Sequence, residues 1–203
     1  LVVISWGGTL NLATLFVPVL QRRELELMSV MRGLTRGSDL NSFEITTRLA
    51  DLLGAQHSYF TAPLYAGSRE SRDTIMQLDV FREVLEKLRG VDAMAMAAGD
   101  ISRNSLLMRD GLPGDVTMDE LRGLGAVGDA LGVVIDADGK PIPHPINERV
   151  IGIGLDDLAA IPNVILAAGG PQKVPVVRAV LKRGVVKTLV TDEVTARALL
   201  DRS

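Results

Sequence analysis

A glycine pair near the start of the sequence joins an apolar run to a segment with helical spacing, in the motif Ser5-Trp6-Gly7-Gly8-Thr9. Glycines let a backbone approach a ligand closely, and a helix start offers free N–H groups and the positive end of the helix dipole. Ser5, Gly7, Gly8 and Thr9 are therefore candidate phosphate- or carboxylate-binding residues. The alternative is a plain tight turn with Thr9 as the helix cap. The motif is neither the dinucleotide fingerprint G-x-G-x-x-G nor a P-loop, since no Gly-Lys-Ser/Thr follows.

Lys173 follows a second glycine pair, in the motif Ala167-Ala168-Gly169-Gly170-Pro171-Gln172-Lys173. This motif also leads from a predicted strand to a predicted helix, and it puts the lysine in the first helical turn. A cation there is unfavourable against the helix dipole, which suggests an anionic partner such as a phosphate. The glycines would allow that partner to approach the backbone. The alternative is an exposed lysine without a ligand, the usual fate of this residue type.

Two aspartates and an arginine complete the set of candidate ligand-binding residues. Asp129 ends the motif Gly125-Ala126-Val127-Gly128-Asp129 and can bind sugar hydroxyls or be a turn aspartate bonded to its own backbone. Asp100 follows Gly99 at the end of a predicted strand, where a carboxylate can face a ligand or have a turn or cap role. Arg32 ends another predicted strand and has the fork geometry that suits phosphate oxygens, with a solvated surface arginine as the alternative.

Short apolar runs alternate with amphipathic segments along the whole chain. Apolar runs are typical of strands buried on both faces, so this alternation predicts a mostly parallel α/β sheet with helices on both faces. Stretches 100–124 and 136–147 break the pattern and are predicted to be loops or an insertion near the strand ends, where ligands bind in such sheets. The predicted strands are 1–5, 25–31, 57–62, 93–98, 133–136, 163–168 and 187–190. The predicted helices are 9–20, 42–53 with Asn41 as cap, 79–88, 172–183 and one capped by Thr191-Asp192-Glu193 that ends at Leu200.

Length and composition exclude several classes of function. The 203-residue chain is 47% hydrophobic, which fits one large α/β domain, and no apolar run approaches the roughly 18 residues that span a bilayer. The chain has no cysteine and two histidines, so we expect no metal and no cofactor. An aromatic content of 3% and a net charge of −3 argue against nucleic-acid binding by these residues. The chain starts inside a predicted strand without methionine, so we expect it to be a piece of something longer.

Seven stretches in this order resemble the effector-binding domain of the SorC/DeoR-like family of bacterial sugar-responsive transcription regulators. They are VISWGGTL (3–10), Asn41 with Leu49-Ala50, Ala62-Pro63, GAVGD (125–129), RVIGI (149–153), AGG with Lys173 (168–173) and LVTDE with the alanine and leucines that follow (189–200). The resemblance implies a Rossmann-like domain, akin to sugar-phosphate isomerases and deaminases of the ribose-5-phosphate isomerase type, that binds a phosphorylated sugar or polyol. It also implies operator DNA binding by an N-terminal helix-turn-helix domain absent from this chain, a homo-oligomer (dimer or tetramer), and a cytoplasmic location.

The resemblance also implies roles for single residues. The turn at 5–9 and Arg32 would bind phosphate, Asp100 and Asp129 would bind hydroxyls, and Lys173 would be a second anion or sugar contact. We weigh this ligand-sensing domain against an isomerase or deaminase, in which Asp100, Asp129 and Lys173 would supply the general acid and base. A plain assembly domain without a ligand is the third hypothesis, and two glycine-rich turns with a nearby lysine argue against it.

Overall fold

The computed structural model describes residues 1–30 and 42–201, in which the apolar runs pair as strands of two sheets. The strands are β1 (Val2–Ile4), β2 (Glu26–Ser29), β3 (Gln56–Tyr59), β4 (Ala93–Met96), β5 (Ala98–Asp100), β6 (Gly128–Ala130), β7 (Val133–Ile135), β8 (Asn163–Ala167) and β9 (Thr188–Val190). Six of these described strands form a sheet in the order β3-β2-β1-β4-β8-β9, and all its neighbours are parallel. The predicted mostly parallel α/β fold is therefore confirmed.

Helices cover both faces of the parallel sheet. In the described residues they are α1 (Gly8–Ala13), α2 (Ser42–Leu53), α3 (Arg69–Met76), α4 (Asp79–Arg89), α5 (Met118–Gly123), α6 (Pro145–Glu148), α7 (Val174–Lys182) and α8 (Glu193–Leu200). Val3 and Met94 pack in a buried cluster with side chains of α4 and α7, whereas Ile4 and Ala95 pack with side chains of α1 and α2. Successive side chains of a strand point to opposite faces, so this alternation puts one helical layer on each side. No described helix has the length and apolar character needed to cross a membrane.

A small antiparallel sheet, in the order β5-β6-β7, follows the parallel sheet without a loop between them. Because β4 ends at Met96 and β5 begins at Ala98, the predicted strand 93–98 is divided between the two sheets. The predicted strand 133–136 forms as β7, but it pairs antiparallel and does not join the parallel sheet. The reason is the two-residue connection between β6 and β7, in which Leu131 and Gly132 both have positive φ (55° and 78°). That backbone makes a tight hairpin, which can only join antiparallel strands.

The first helix is shorter than its apolar spacing predicts. The predicted helix 9–20 ends at Ala13 and continues as a 3₁₀ turn over Thr14–Phe16. Pro18 disfavours helical backbone at the residue before it, and Val17 is extended. Phe16 and Leu20 belong to that apolar spacing, but they are exposed (84% and 42%).

Three described helices, α3, α5 and α6, were not predicted because they are short and contain few apolar residues. Cap signals were nevertheless present. Ser68 accepts a hydrogen bond from the Ser71 N–H at the start of α3, and Thr117 and Glu120 form a reciprocal capping box at the start of α5. The predicted cap Asn41 of α2 lies outside the described residues.

The C-terminal helix is tied to the sheet by a cluster of hydrogen bonds around Asp192. Its Oδ1 accepts from the Thr195 N–H (2.7 Å), and its Oδ2 accepts from the Thr195 hydroxyl (2.8 Å) and the Gly170 N–H (2.7 Å). The Gly170 N–H also donates to Thr195 Oγ1 (2.8 Å). These bonds, those from Thr195 above all, hold the pKa of Asp192 below its ordinary value. The predicted cap at Asp192 is confirmed. Glu193 and Arg197, four residues apart on this helix, form an ion pair.

Replacing Thr195 with valine is expected to lower the free energy of unfolding by about 1–2 kcal/mol, since a buried residue of the same shape loses two hydrogen bonds. Thr191→Val is the matched control, because the buried Thr191 hydroxyl has no partner among the described residues. That variant is expected to be as stable as the parent or more stable. Urea unfolding of both variants makes the comparison, and equal losses would contradict the role of the Thr195 hydroxyl.

Candidate ligand-binding site

A cavity of the described chain lies where the strand order of the parallel sheet reverses. The chain leaves β1 toward β2 on one side, and it leaves β4 toward β8 on the other. The connections to β2 and β8 therefore lead to opposite sides of the sheet, which opens a crevice at the carboxyl ends of β1 and β4. A cavity of about 610 Å³ occupies this position, lined by residues 6–8, by 97–100 and by side chains from three further segments. Its size is in the range of small-molecule sites.

The turn after β1 borders the cavity with its glycines. A Cβ on Gly7 would lie 2.6 Å from the Cβ of Ala97, and Gly7 has a φ of +149°, so only glycine fits where the two loops meet. Gly7 and Gly8 line the cavity. Ser5 and Thr9 do not line it: the buried Ser5 hydroxyl donates to Trp6 O and accepts from the Ala97 N–H (both 3.3 Å), joining the same two loops. Thr9 does not cap α1 either, since Gly7 holds the cap position.

The two predicted carboxylates lie in the antiparallel sheet and both line the cavity. Asp129 stands opposite Gly99 in the β5–β6 pair, and its Oδ2 accepts from the Gly132 N–H (3.2 Å) in the hairpin. Burial raises the pKa of Asp129 to about 7, against smaller lowering effects of this hydrogen bond and of Lys173. Asp100 Oδ1 accepts from the Ser102 N–H (2.8 Å), so this side chain combines the predicted turn role with a place at the cavity wall.

Lys173, which the sequence analysis predicts to contact an anion, lines the cavity. It ends the 3₁₀ turn Pro171–Lys173, which leads into α7, and it lines the cavity together with Gln172. The lysine is half-buried, and its ammonium group has no hydrogen bond or ion pair with another described residue. It is close enough to Asp129 to lower the pKa of that carboxyl. A half-buried cation without a counter-ion bonded to it can bind a phosphate or a carboxylate.

The glycine pair before Lys173 does not face the cavity. We predicted that Gly169 and Gly170 let a ligand approach the backbone, but the structure puts the carboxylate of Asp192 there. The Gly170 N–H bonds to this carboxylate, and a Cβ on Gly169 would overlap Asp192 Oδ2. The anion that these glycines accommodate is therefore part of the protein.

Segment 102–109, for which no individual role was predicted, supplies one wall of the cavity through Ser102, Asn104, Ser105, Leu106, Leu107 and Arg109. It lies in the stretch 100–124 that was predicted to be a loop or insertion near the strand ends. Leu107 is 1% exposed and packs with Trp6, which anchors the segment, and a short π-helix runs over Leu107–Gly111. Arg109 is half exposed and ion-paired with Asp110 (2.6 Å). The only signal for this wall was the break in the apolar pattern.

The sequence also predicts a phosphate-binding role for Arg32 and no bound metal. Arg32 lies outside the described residues, so its predicted phosphate-binding role stays a prediction. Within residues 1–30 and 42–201, no three His, Asp or Glu side chains are grouped so that they could hold a metal ion.

The parallel sheet and the polar cavity at its switch point are those of a small-molecule-binding α/β domain. The chain belongs to the Sugar-bind family, described as "Putative sugar-binding domain", whose model matches residues 1–201. Its predicted resemblance to the effector domains of SorC/DeoR-type regulators is confirmed.

Relatives of the chain are named as transcription regulators. The erythritol catabolism regulatory protein EryD of Brucella abortus is 28% identical over 197 residues, which are 97% of this chain and 62% of that protein. The transcriptional regulator LsrR of Klebsiella pneumoniae is 34% identical over 146 residues, 70% of this chain and 45% of that protein. A solved DeoR family transcriptional regulator from Listeria monocytogenes has a TM-score of 0.84 and 27% identity, over 98% of this chain and 78% of that chain. The chain thus spans less than two thirds of the length of these two curated relatives.

Proposed function

We propose that this chain is the effector-sensing domain of a bacterial sugar-responsive transcription regulator and that it binds a phosphorylated sugar or polyol in the cavity at the sheet switch point. The observation that carries the proposal is that one cavity is lined by both a cation and two carboxylates. Lys173 lacks an ion pair among the described residues and suits a phosphate, whereas Asp129 and Asp100 are carboxylates that suit sugar hydroxyls. The glycine turn at Gly7 and Gly8 leaves backbone surface open beside them.

The proposed mechanism is a shift of populations between two arrangements of a homo-oligomer. A ligand in the cavity would contact the turn after β1, the link from β4 to β5, and the turn before α7 at once. The ligand would favour the oligomer arrangement in which these three segments lie closest to one another. A coupling of about 1–3 kcal/mol between ligand binding and this arrangement is enough for regulation. Operator DNA would be bound by a helix-turn-helix domain outside this chain, in the cytoplasm, and the arrangement would set the spacing of those domains.

A sugar-phosphate isomerase or deaminase on the same scaffold is the second candidate. The observation in its favour is the pKa of Asp129, which at about 7 suits a general acid or base. Against it stand the names of the relatives, which are regulators. Burial is also the largest cause of the raised pKa, and it needs no catalytic role.

A thermal-shift screen tests the proposal, with ribose 5-phosphate, glucose 6-phosphate, erythritol 4-phosphate and fructose 1,6-bisphosphate, each beside its non-phosphorylated form. We expect at least one phosphorylated compound to raise Tm, its free form to raise it less, and the bound compound to be recovered unchanged by NMR. Conversion at enzyme-like rates would favour the second candidate. A panel in which no phosphorylated compound raises Tm would count against the proposal.

A further inference from the structure

A buried serine hydroxyl in the cavity wall has no hydrogen-bond partner among the described residues. Ser105 is 7% exposed, and no described group bonds to its Oγ. Buried hydroxyls in native proteins nearly always have a partner, since an unpaired one lowers stability. In the wall of a binding cavity, such a hydroxyl is placed to bond to a ligand.

Ser105 and Asp129 direct oxygen atoms to the same side of Gly99. Ser105 Oγ lies 3.0 Å from the position that a Cβ would take at Gly99, and Asp129 Oδ1 lies against the same position. All three residues line the cavity. The serine hydroxyl can donate a hydrogen bond, and the carboxylate can accept one. Together they can therefore bond to both the oxygen and the hydrogen of one ligand hydroxyl.

The backbone of Ser105 is held in place by two hydrogen bonds. Its N–H donates to Ser102 O (3.1 Å), and its carbonyl accepts from the Arg109 N–H (2.9 Å). Leu107, two residues further on, is buried against Trp6. A side chain held in this way binds a ligand with little loss of conformational freedom.

We propose that Ser105 is a ligand-binding residue whose hydroxyl, together with the Asp129 carboxylate, binds one hydroxyl of the sugar. The ligand hydroxyl donates to Asp129 and accepts from Ser105, which pairs the otherwise unpaired group. The domain then selects sugars that carry this hydroxyl over their deoxy analogues, because the analogue leaves both protein groups unpaired. This inference rests on the proposed function, since it needs a sugar in the cavity.

The stability of the ligand-free protein gives the first test. Ser105→Ala removes an unpaired hydroxyl and is expected to leave Tm unchanged or raise it. Ser5→Ala is the matched control, because it removes a buried hydroxyl that bonds Trp6 O and the Ala97 N–H, and it is expected to lower Tm. A Tm loss in Ser105→Ala as large as that in Ser5→Ala would mean that the hydroxyl has a structural partner, and it would overturn the inference.

The second test is calorimetric titration with two matched pairs: ribose 5-phosphate with 2-deoxyribose 5-phosphate, and glucose 6-phosphate with 2-deoxyglucose 6-phosphate. We expect the wild-type protein to prefer the hydroxylated member of one pair. Ser105→Ala is expected to weaken the binding of that compound by about tenfold and to leave the affinity for its deoxy analogue unchanged. Equal affinity of variant and wild type for the hydroxylated compound would overturn the role of Ser105 alone. A wild-type protein that binds no phosphorylated sugar would overturn the proposed function and, with it, this inference.

Discussion

Replacing Lys173 with alanine is expected to weaken the binding of a phosphorylated sugar by about 10- to 100-fold, the usual worth of a hydrogen bond to a charged group. Lys173 lines the cavity and has no ion pair with another described residue, so its ammonium group is available to a phosphate. The non-phosphorylated form of the same sugar lacks the charge and should lose little affinity. Calorimetric titration of both forms against both proteins measures the difference.

Lys182→Ala is the matched control for this variant. Lys182 lies at the other end of α7, donates to Ala137 O (2.9 Å) and Asp138 Oδ1 (2.8 Å), and does not line the cavity. Its replacement removes the same charge from the protein and should leave both affinities unchanged. If Lys173→Ala bound the phosphorylated sugar as tightly as wild type, the phosphate would have to bind elsewhere. An equal loss for both forms would mean that Lys173 contacts the sugar hydroxyls.

The part of the site that lies at strand ends was predictable from the sequence. In a parallel sheet the carboxyl ends of all strands meet at one edge, so residues that follow apolar runs are brought together. Gly7, Asp100 and Lys173 each follow such a run, directly or within a few residues, and all three line the cavity. The dipole argument for Lys173 used its predicted place in the first turn of a helix, whereas the structure puts it one residue earlier, as the last residue of the 3₁₀ turn and the N-cap of α7.

The remaining features depend on contacts between residues that are distant in sequence. Asp192 lies 22 residues beyond Gly170, and no local pattern indicates that its carboxylate meets this glycine turn. The pairing of β7 depends on positive φ at Leu131, a residue type that gives no signal of such a backbone. Ser105 is a serine in an irregular segment, and it is distinguished only by its place in the cavity wall and its lack of a partner among the described residues.

Replacing Asp129 with asparagine is expected to stabilise the ligand-free protein at pH 8 by up to about 4 kcal/mol. Burial raises the pKa of this carboxyl from 3.8 to about 7. Between these values the folded protein keeps a proton that the unfolded chain has lost, so stability falls as the pH rises from about 4 to about 7. Above that range the folded protein carries the full cost of a buried charge. Asparagine has no charge to bury, and its amide oxygen can still accept the Gly132 N–H.

Urea unfolding of wild type and Asp129→Asn from pH 5 to pH 8 measures this difference, which should grow with pH up to about 7 and then level off. Asp138→Asn is the control, because Asp138 is exposed and Lys182 lowers its pKa, so its effect should be nearly constant in this range.

The same Asp129→Asn protein should bind the phosphorylated sugar more weakly, since a carboxylate accepts hydroxyl donors better than an amide. A variant that is more stable and binds less well would identify Asp129 as a residue kept for its ligand at the expense of stability. A variant less stable than wild type at pH 8 would instead mean that the hairpin needs the carboxylate, and it would contradict this assignment.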